Sequence, residues 1–246
     1  MRAVLTPDDI RRLEECAAET HPMDYCIILL LTRTGARASE IASLRLDSIL
    51  NTPTGPQIRF LTLKEKIVGE CSRCHTRTGR LARFCPQCGA KAMARPVERR
   101  RERLIPVGED VAEAIWEYRR WRDAQPFAQG SPWLFPSPVR KGMPISRQHI
   151  CVQIVYPIAE AAGLGGRAIL LSTEHGLSPH RVSPHRLRDA LATSYVFAKG
   201  ASDQAMRELQ EFLGHRQVQT TAKYAKVASL GRVSAEVARA ITGRGE

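Results

Sequence analysis

No stretch of this chain is apolar for long enough to cross a bilayer. The longest such run, Cys26-Ile-Ile-Leu-Leu-Leu31, spans six residues, where a membrane helix needs roughly 20. It reads instead as the middle of a buried helix. The N-terminus, MRAVLTPDDIRRLEE, lacks the apolar segment of a secretion signal. There is no repeat array and no low-complexity tail. The cysteines do not pair off: there are seven, four of them in two Cys-x-x-Cys pairs. Without an export signal, that argues for reduced thiols and a metal over disulfides. Carboxylates do not cluster in the way that Mg²⁺ sites require. These absences exclude a membrane span, argue against Mg²⁺-dependent phosphoryl chemistry and lead us to expect a cytoplasmic protein.

What the chain does have is size and positive charge. Its 246 residues, 43% of them hydrophobic, can bury one large domain, or one domain and a small module. The net charge is +12 and the pI about 9.8, so the natural partner is a polyanion.

Apolar spacing and end signals give a mainly helical chain with one small sheet. Thr6-Pro7-Asp8-Asp9 starts a first helix that runs to about Ala18, with Asp9 placed to close a capping box. A second helix, Tyr25 to about Arg33, stops at Gly35, and a third begins near Ser39. Gln57-Ile-Arg-Phe-Leu-Thr-Leu63 alternates as a strand and pairs with Arg103–Val107, a hairpin whose tip has taken in about forty residues. Further helices are expected at about Glu109–Arg122, Ser146–Ala162, Leu187–Lys199 and Asp203–Leu213. A short helix carries Tyr224, and a last one spans about Ser234–Ile241. Its apolar stripe (Val233, Val237, Ala240, Ile241) can pack on its own domain or on a second copy bound to DNA.

Certain polar residues form a chemical set. Arg37, His185, Arg188, His215 and Tyr224 follow one another in contexts suited to attack on a phosphodiester. Planar guanidinium groups hold the non-bridging oxygens of a phosphate bidentately, which lysine does poorly. A phenol titrates near ~10, so forming its phenolate at pH 7 costs roughly 4 kcal/mol. A base, His185 or a phosphate oxygen, must therefore take the proton. His185 and Arg188 are three residues apart, so one helical turn presents both to one phosphate. Gly214 lets a helix end so that His215 can turn inward.

Three segments resemble the tyrosine recombinases of the phage integrase family. Thr-Gly-Ala-Arg37-Ala-Ser-Glu40-Ile-Ala-Ser-Leu-Arg looks like their first arginine motif, and His185-Arg-Leu-Arg188-Asp-Ala-Leu-Ala-Thr193 like their His-x-x-Arg motif. Leu213-Gly-His215, with Thr220-Thr-Ala-Lys-Tyr224 nine residues from histidine to tyrosine, is similar to their last box. The resemblance, from about Leu5 to Tyr224, implies the recombinase catalytic-domain fold over 1–246. It also implies cleavage and rejoining of double-stranded DNA through a 3′-phosphotyrosyl bond without metal or ATP, by copies that associate on DNA. The general acid for the leaving 5′-oxygen is then a hairpin lysine, Lys64, with Lys66 two residues on facing the same side. Two other readings stand beside it: a type IB topoisomerase, and a non-catalytic DNA-binding protein of recombinase descent. The chain departs from the family at Asp189 and Lys226, where histidines are usual, and the stretch from Arg188 to His215 is a few residues longer. The family's N-terminal clamp domain has no counterpart in these 246 residues.

The hairpin insertion, expected at 67–98, carries Cys71-Ser-Arg-Cys74 and Cys85-Pro-Gln-Cys88-Gly. Four thiolates in two such knuckles form the ligand set of a zinc ribbon, with Zn²⁺ structural because no ligand position is open. So short a module needs its metal to fold. Between Lys64 and Arg103 there are twelve Lys/Arg against four Asp/Glu, a formal +8 out of the chain's +12. This element is expected to grip DNA beside the cleavage site.

Overall fold

The computed structural model describes residues 5–78, 82–165, 181–214, 221–222 and 224–225, and only the backbone of 62–70, 77 and 92–101. The chain divides into two compact units, one made of Met1–Phe60 and Leu104–Glu246, the other of Leu61–Arg103.

The first unit is helical. Helix α1 (Pro7–Ala18) opens with the expected capping box: Asp9 N donates to Thr6 Oγ1 at 3.1 Å, and Thr6 N to Asp9 Oδ2 at 2.9 Å. Helix α2 (Pro22–Thr34) starts three residues before the expected Tyr25. His21 accounts for this, since its Nδ1 accepts from Met23 N at 3.1 Å while Pro22 occupies the first turn. Residues Cys26 to Thr32 are all buried, so α2 is the hub of the unit. It packs against α1, α3 (Ala38–Ala42), α4 (Glu109–Asp123) and α7 (Pro184–Lys199). Burying Ile27 to Leu31 contributes on the order of 10 kcal/mol before entropy is charged against it. The helix ends at Gly35, in the left-handed region at φ +57°.

A strand that the sequence pattern did not announce, β1 (Ile49–Thr52), pairs antiparallel with the start of β2 (Gly55–Cys71), Ile49 facing Ile58 and Thr52 facing Gly55. The run expected as one helix at about 146–162 consists of α5 (Arg147–His149), a π-helical segment Ile150–Val155, and α6 (Tyr156–Ala161). Pro157, which has no N–H to give to the preceding turn, accounts for the wider winding. Helix α7 begins at Pro184, three residues before the expected Leu187, which brings His185 into its first turn. Helix α8 (Asp203–Leu213) is capped by Ser202, whose Oγ accepts from Ala205 N at 3.3 Å, and ends at Gly214 in the left-handed region at φ +65°. Ala192 and Val196 of α7 and Met206, Leu209 and Leu213 of α8 form a second small core that also takes in Tyr224.

In the second unit β2 runs on to Cys71, where β3 (Arg77–Thr78) pairs with it, and β4 (Ala92–Pro106) also pairs with β2. Both hairpin strands are therefore longer than the 57–63 and 103–107 read from alternation. Charged residues dominate the extensions, so the period of two is faint there. Among the described residues, no helix is long and apolar enough to cross a membrane. Residues 166–180 and the last helix, expected at 234–241, lie outside the described residues.

Candidate functional site

Arg188 is almost wholly buried on α7, and its position organises the site. Its guanidinium donates through Nη1 to the carbonyl of Gly35 and through Nη2 to that of Leu213. Those carbonyls are left over at the C-termini of α2 and α8, where no helical N–H reaches them. One side chain thus ties together the ends of two helices. Two residues beyond each tie in sequence stand Arg37 and His215. The left-handed glycine at 35 is needed here, because a Cβ would meet Cδ2 of Leu191 and of Leu213 at 2.9 Å.

Arg37 is the N-cap of α3. Its backbone N donates to Glu40 Oε2 at 2.8 Å and its Nη1 to Oε1 at 2.8 Å. Glu40 is buried while the Arg37 side chain is 36% exposed. The carboxylate is therefore a fixed anchor that aims a solvent-facing guanidinium.

Tyr224 is only 3% exposed, its ring packed into the α7–α8 core. Its hydroxyl donates to Asp189 Oδ1 at 2.6 Å. The other carboxylate oxygen lies 3.7 Å from Nε2 of His185, whose side chain is 71% exposed. The structure thus brings His185, Arg188 and Tyr224 to one end of α7 and joins that end to the turn before Arg37. Asp189 is the residue that sequence reasoning undervalued. It entered only as a departure from a motif, although its place four residues after His185, on the same helical face, was a usable signal. His215 lies outside the described residues. Lys64 and Lys66 lie on β2, where the backbone alone is described.

Cys71, Cys74, Cys85 and Cys88 of the second unit come together with all four sulfurs within 4.8 Å of one another. Each pair sits in the same turn. His75 N donates to Cys71 O and Gly89 N to Cys85 O, both at 3.0 Å. Cys71 N donates to Thr76 O at 3.0 Å and Cys85 N to Ala90 O at 2.7 Å. Arg73 N and Gln87 N each donate to the first sulfur of their turn at 3.4 Å. The residue after each second cysteine is left-handed, His75 at φ +56° and Gly89 at φ +70°. A Zn–S bond near 2.3 Å puts the sulfurs of a tetrahedral site about 3.8 Å apart. The contacts Cys71–Cys88 at 3.4 Å and Cys74–Cys85 at 3.5 Å are close to that. The Thr76 hydroxyl and amide draw the Cys74 thiol down to about 6, while for Cys88 the Ala90 amide is outweighed by neighbouring sulfurs that push it up to about 12. The four thiols compete for shared hydrogens, and the donor set fits a soft tetrahedral cation.

Solved structures share this fold. The chain superposes on the XerA recombinase with a TM-score of 0.61, at 20% identity over 96% of this chain and 65% of that one. On the Tn1549 transposon integrase, solved in complex with circular intermediate DNA, the TM-score is 0.56, at 18% identity over 95% and 67%. The class that these neighbours define is the catalytic-domain fold of tyrosine recombinases.

The family follows from sequence. The model of the phage integrase family matches residues 89–230, more than half of the chain, and the chain belongs to that family. Tyrosine recombinase XerD of Brucella suis is 32% identical over 127 residues, which are 52% of this chain and 35% of that protein. XerD of Caulobacter vibrioides is 29% identical over 231 residues, 92% and 57%. The chain thus spans from about a third to under three-fifths of the length of these relatives.

Proposed function

We propose that this protein is a site-specific DNA recombinase or integrase that breaks and rejoins strands through Tyr224. The carrying observation is the arrangement around α7: a buried Arg188 that fixes the turns leading to Arg37 and His215, with the phenol of Tyr224 bonded to the next residue. In this reading Arg37, Arg188 and His215 hold the scissile phosphate, and an arginine's five donors allow it to bind backbone and phosphate together. Removing one such preorganised donor lowers the rate on the order of 10²–10³-fold. Tyr224 attacks phosphorus and forms a 3′-phosphotyrosyl bond, while Lys64 gives a proton to the leaving 5′-oxygen. Bond energy is conserved, so a second 5′-hydroxyl reverses the attack without a nucleotide cofactor. His185, exposed beside the site, contacts the DNA at the same phosphate.

Cys71, Cys74, Cys85 and Cys88 would hold one structural Zn²⁺. The metal supplies folding energy to a unit too small to bury a core, and no chemistry on DNA. The basic charge between Lys64 and Arg103 supports a grip on DNA by this unit, and association of copies on that DNA belongs to the same reading.

The test is a nicked suicide duplex that traps the cleaved state. Wild-type protein should become covalently attached to DNA, and Tyr224→Phe should not. Attachment by the variant, or none by the wild type, refutes the reading.

A further inference from the structure

We propose that Asp189 is the proton acceptor for Tyr224, its carboxylate taking the phenolic proton as the tyrosine attacks phosphorus. This rests on the strand-transfer reading above and assigns a residue to a step for which sequence offered His185 or the phosphate.

The geometry supplies the argument. The hydroxyl donates to Oδ1 at 2.6 Å, within range of direct proton transfer. Tyr224 is buried, so its hydroxyl has little access to water as an alternative acceptor. Asp189 follows Arg188 on α7, which makes the base and the phosphate-holding guanidinium consecutive residues of one rigid element. His185 lies 3.7 Å from the opposite oxygen, Oδ2, and so meets the carboxylate, with Asp189 standing between it and the phenol. An imidazole there can steady the carboxylate while Oδ1 faces the nucleophile.

The step balances. The O–H bond of Tyr224 breaks and its proton passes to Oδ1, while the phenolic oxygen bonds to phosphorus. The bond from phosphorus to the 5′-oxygen breaks, its electron pair stays on that oxygen, and Lys64 protonates it. Religation runs the transfers backwards and returns the proton from Asp189 to the tyrosine. A phenol in water titrates near ~10, so transfer to a carboxylate is uphill before attack. It becomes favourable as the phenolic oxygen loses basicity on bonding to phosphorus. The carboxylate is neutralised as charge builds on the phosphate, so repulsion between the two does not grow.

The experiment measures the single-turnover rate of covalent attachment to the nicked duplex at saturating protein, between pH 5.5 and 9. Wild type, Asp189→Asn, Asp189→Glu and Asp189→Ala are compared, with a thermal melt for each. Asp189→Asn keeps an acceptor for the hydroxyl but no base. Its rate at neutral pH should fall about 10²–10⁴-fold, and should then climb about tenfold per pH unit as free phenolate replaces the lost transfer. Asp189→Glu should recover part of the rate, and added formate should rescue Asp189→Ala, which it cannot do for a lost fold. Attachment by Asp189→Asn or Asp189→Ala at the wild-type rate overturns the proposal, and faster attachment would make the carboxylate a brake. So does a uniform loss at every pH without formate rescue, which would leave Asp189 as scaffold. If the wild type attaches and Tyr224→Phe does not, either result sinks this inference alone. Failure of the wild type sinks the recombinase reading and this inference with it.

Discussion

Gly35 shows how much of this site depends on single positions. It ends α2 at φ +57°, its carbonyl is held by Arg188, and the space for a Cβ is filled by Leu191 and Leu213. Gly35→Ala should therefore combine the strain of a left-handed alanine with overpacking, a loss of about 2–4 kcal/mol. Urea unfolding will measure it, and a loss below about 1 kcal/mol would show that the turn can relax. At this scale sequence carried a good deal. Arg37, His185, Arg188 and Tyr224 are recognisable by type and spacing, and Gly35 and Gly214 by their place after helical runs. Asp189 was not legible as a partner of Tyr224, because a hydrogen bond between residues 35 positions apart depends on how α7 and α8 pack. Glu40 was half legible: the three-residue step from Arg37 allowed the bond, but only burial fixes it in place.

Among elements, local signals located the helices and left their ends to context. The capping box at Thr6 and Asp9 stands as read, whereas α2 and α7 begin three residues early, where His21 and Pro184 extend the first turn. The two cysteine turns need least from the rest of the molecule. Each closes on its own backbone bonds, and together they bring four sulfurs into one cluster. If Zn²⁺ holds the cluster, a strong chelator should remove one equivalent of metal. Hydrogen exchange should then speed up in Leu61–Arg103 while α2 and α4 stay protected, because separate units lose stability separately. Protection that chelation leaves unchanged in the cysteine turns would remove the metal's structural role.

Over the whole molecule the charge is uneven: two-thirds of the net positive charge lies between Lys64 and Arg103. If that segment grips DNA, log K should fall steeply with log salt. Replacing Arg99, Arg100 and Arg101 by serine should flatten the slope by about 1 for each phosphate no longer neutralised. Fluorescence anisotropy at several salt concentrations measures it, and an unchanged slope assigns the grip to the helical unit.

The order of arginine, histidine and tyrosine motifs, the paired cysteines and the basic charge are written in the sequence, because residue type and short spacing are all they require. The partners of Arg188 and Tyr224 were decided only when α2, α7 and α8 packed together. A buried donor takes whichever acceptor folding leaves within reach, and the carbonyls of Gly35 and Leu213 and the carboxylate of Asp189 come into reach because residues far apart in the chain pack side by side.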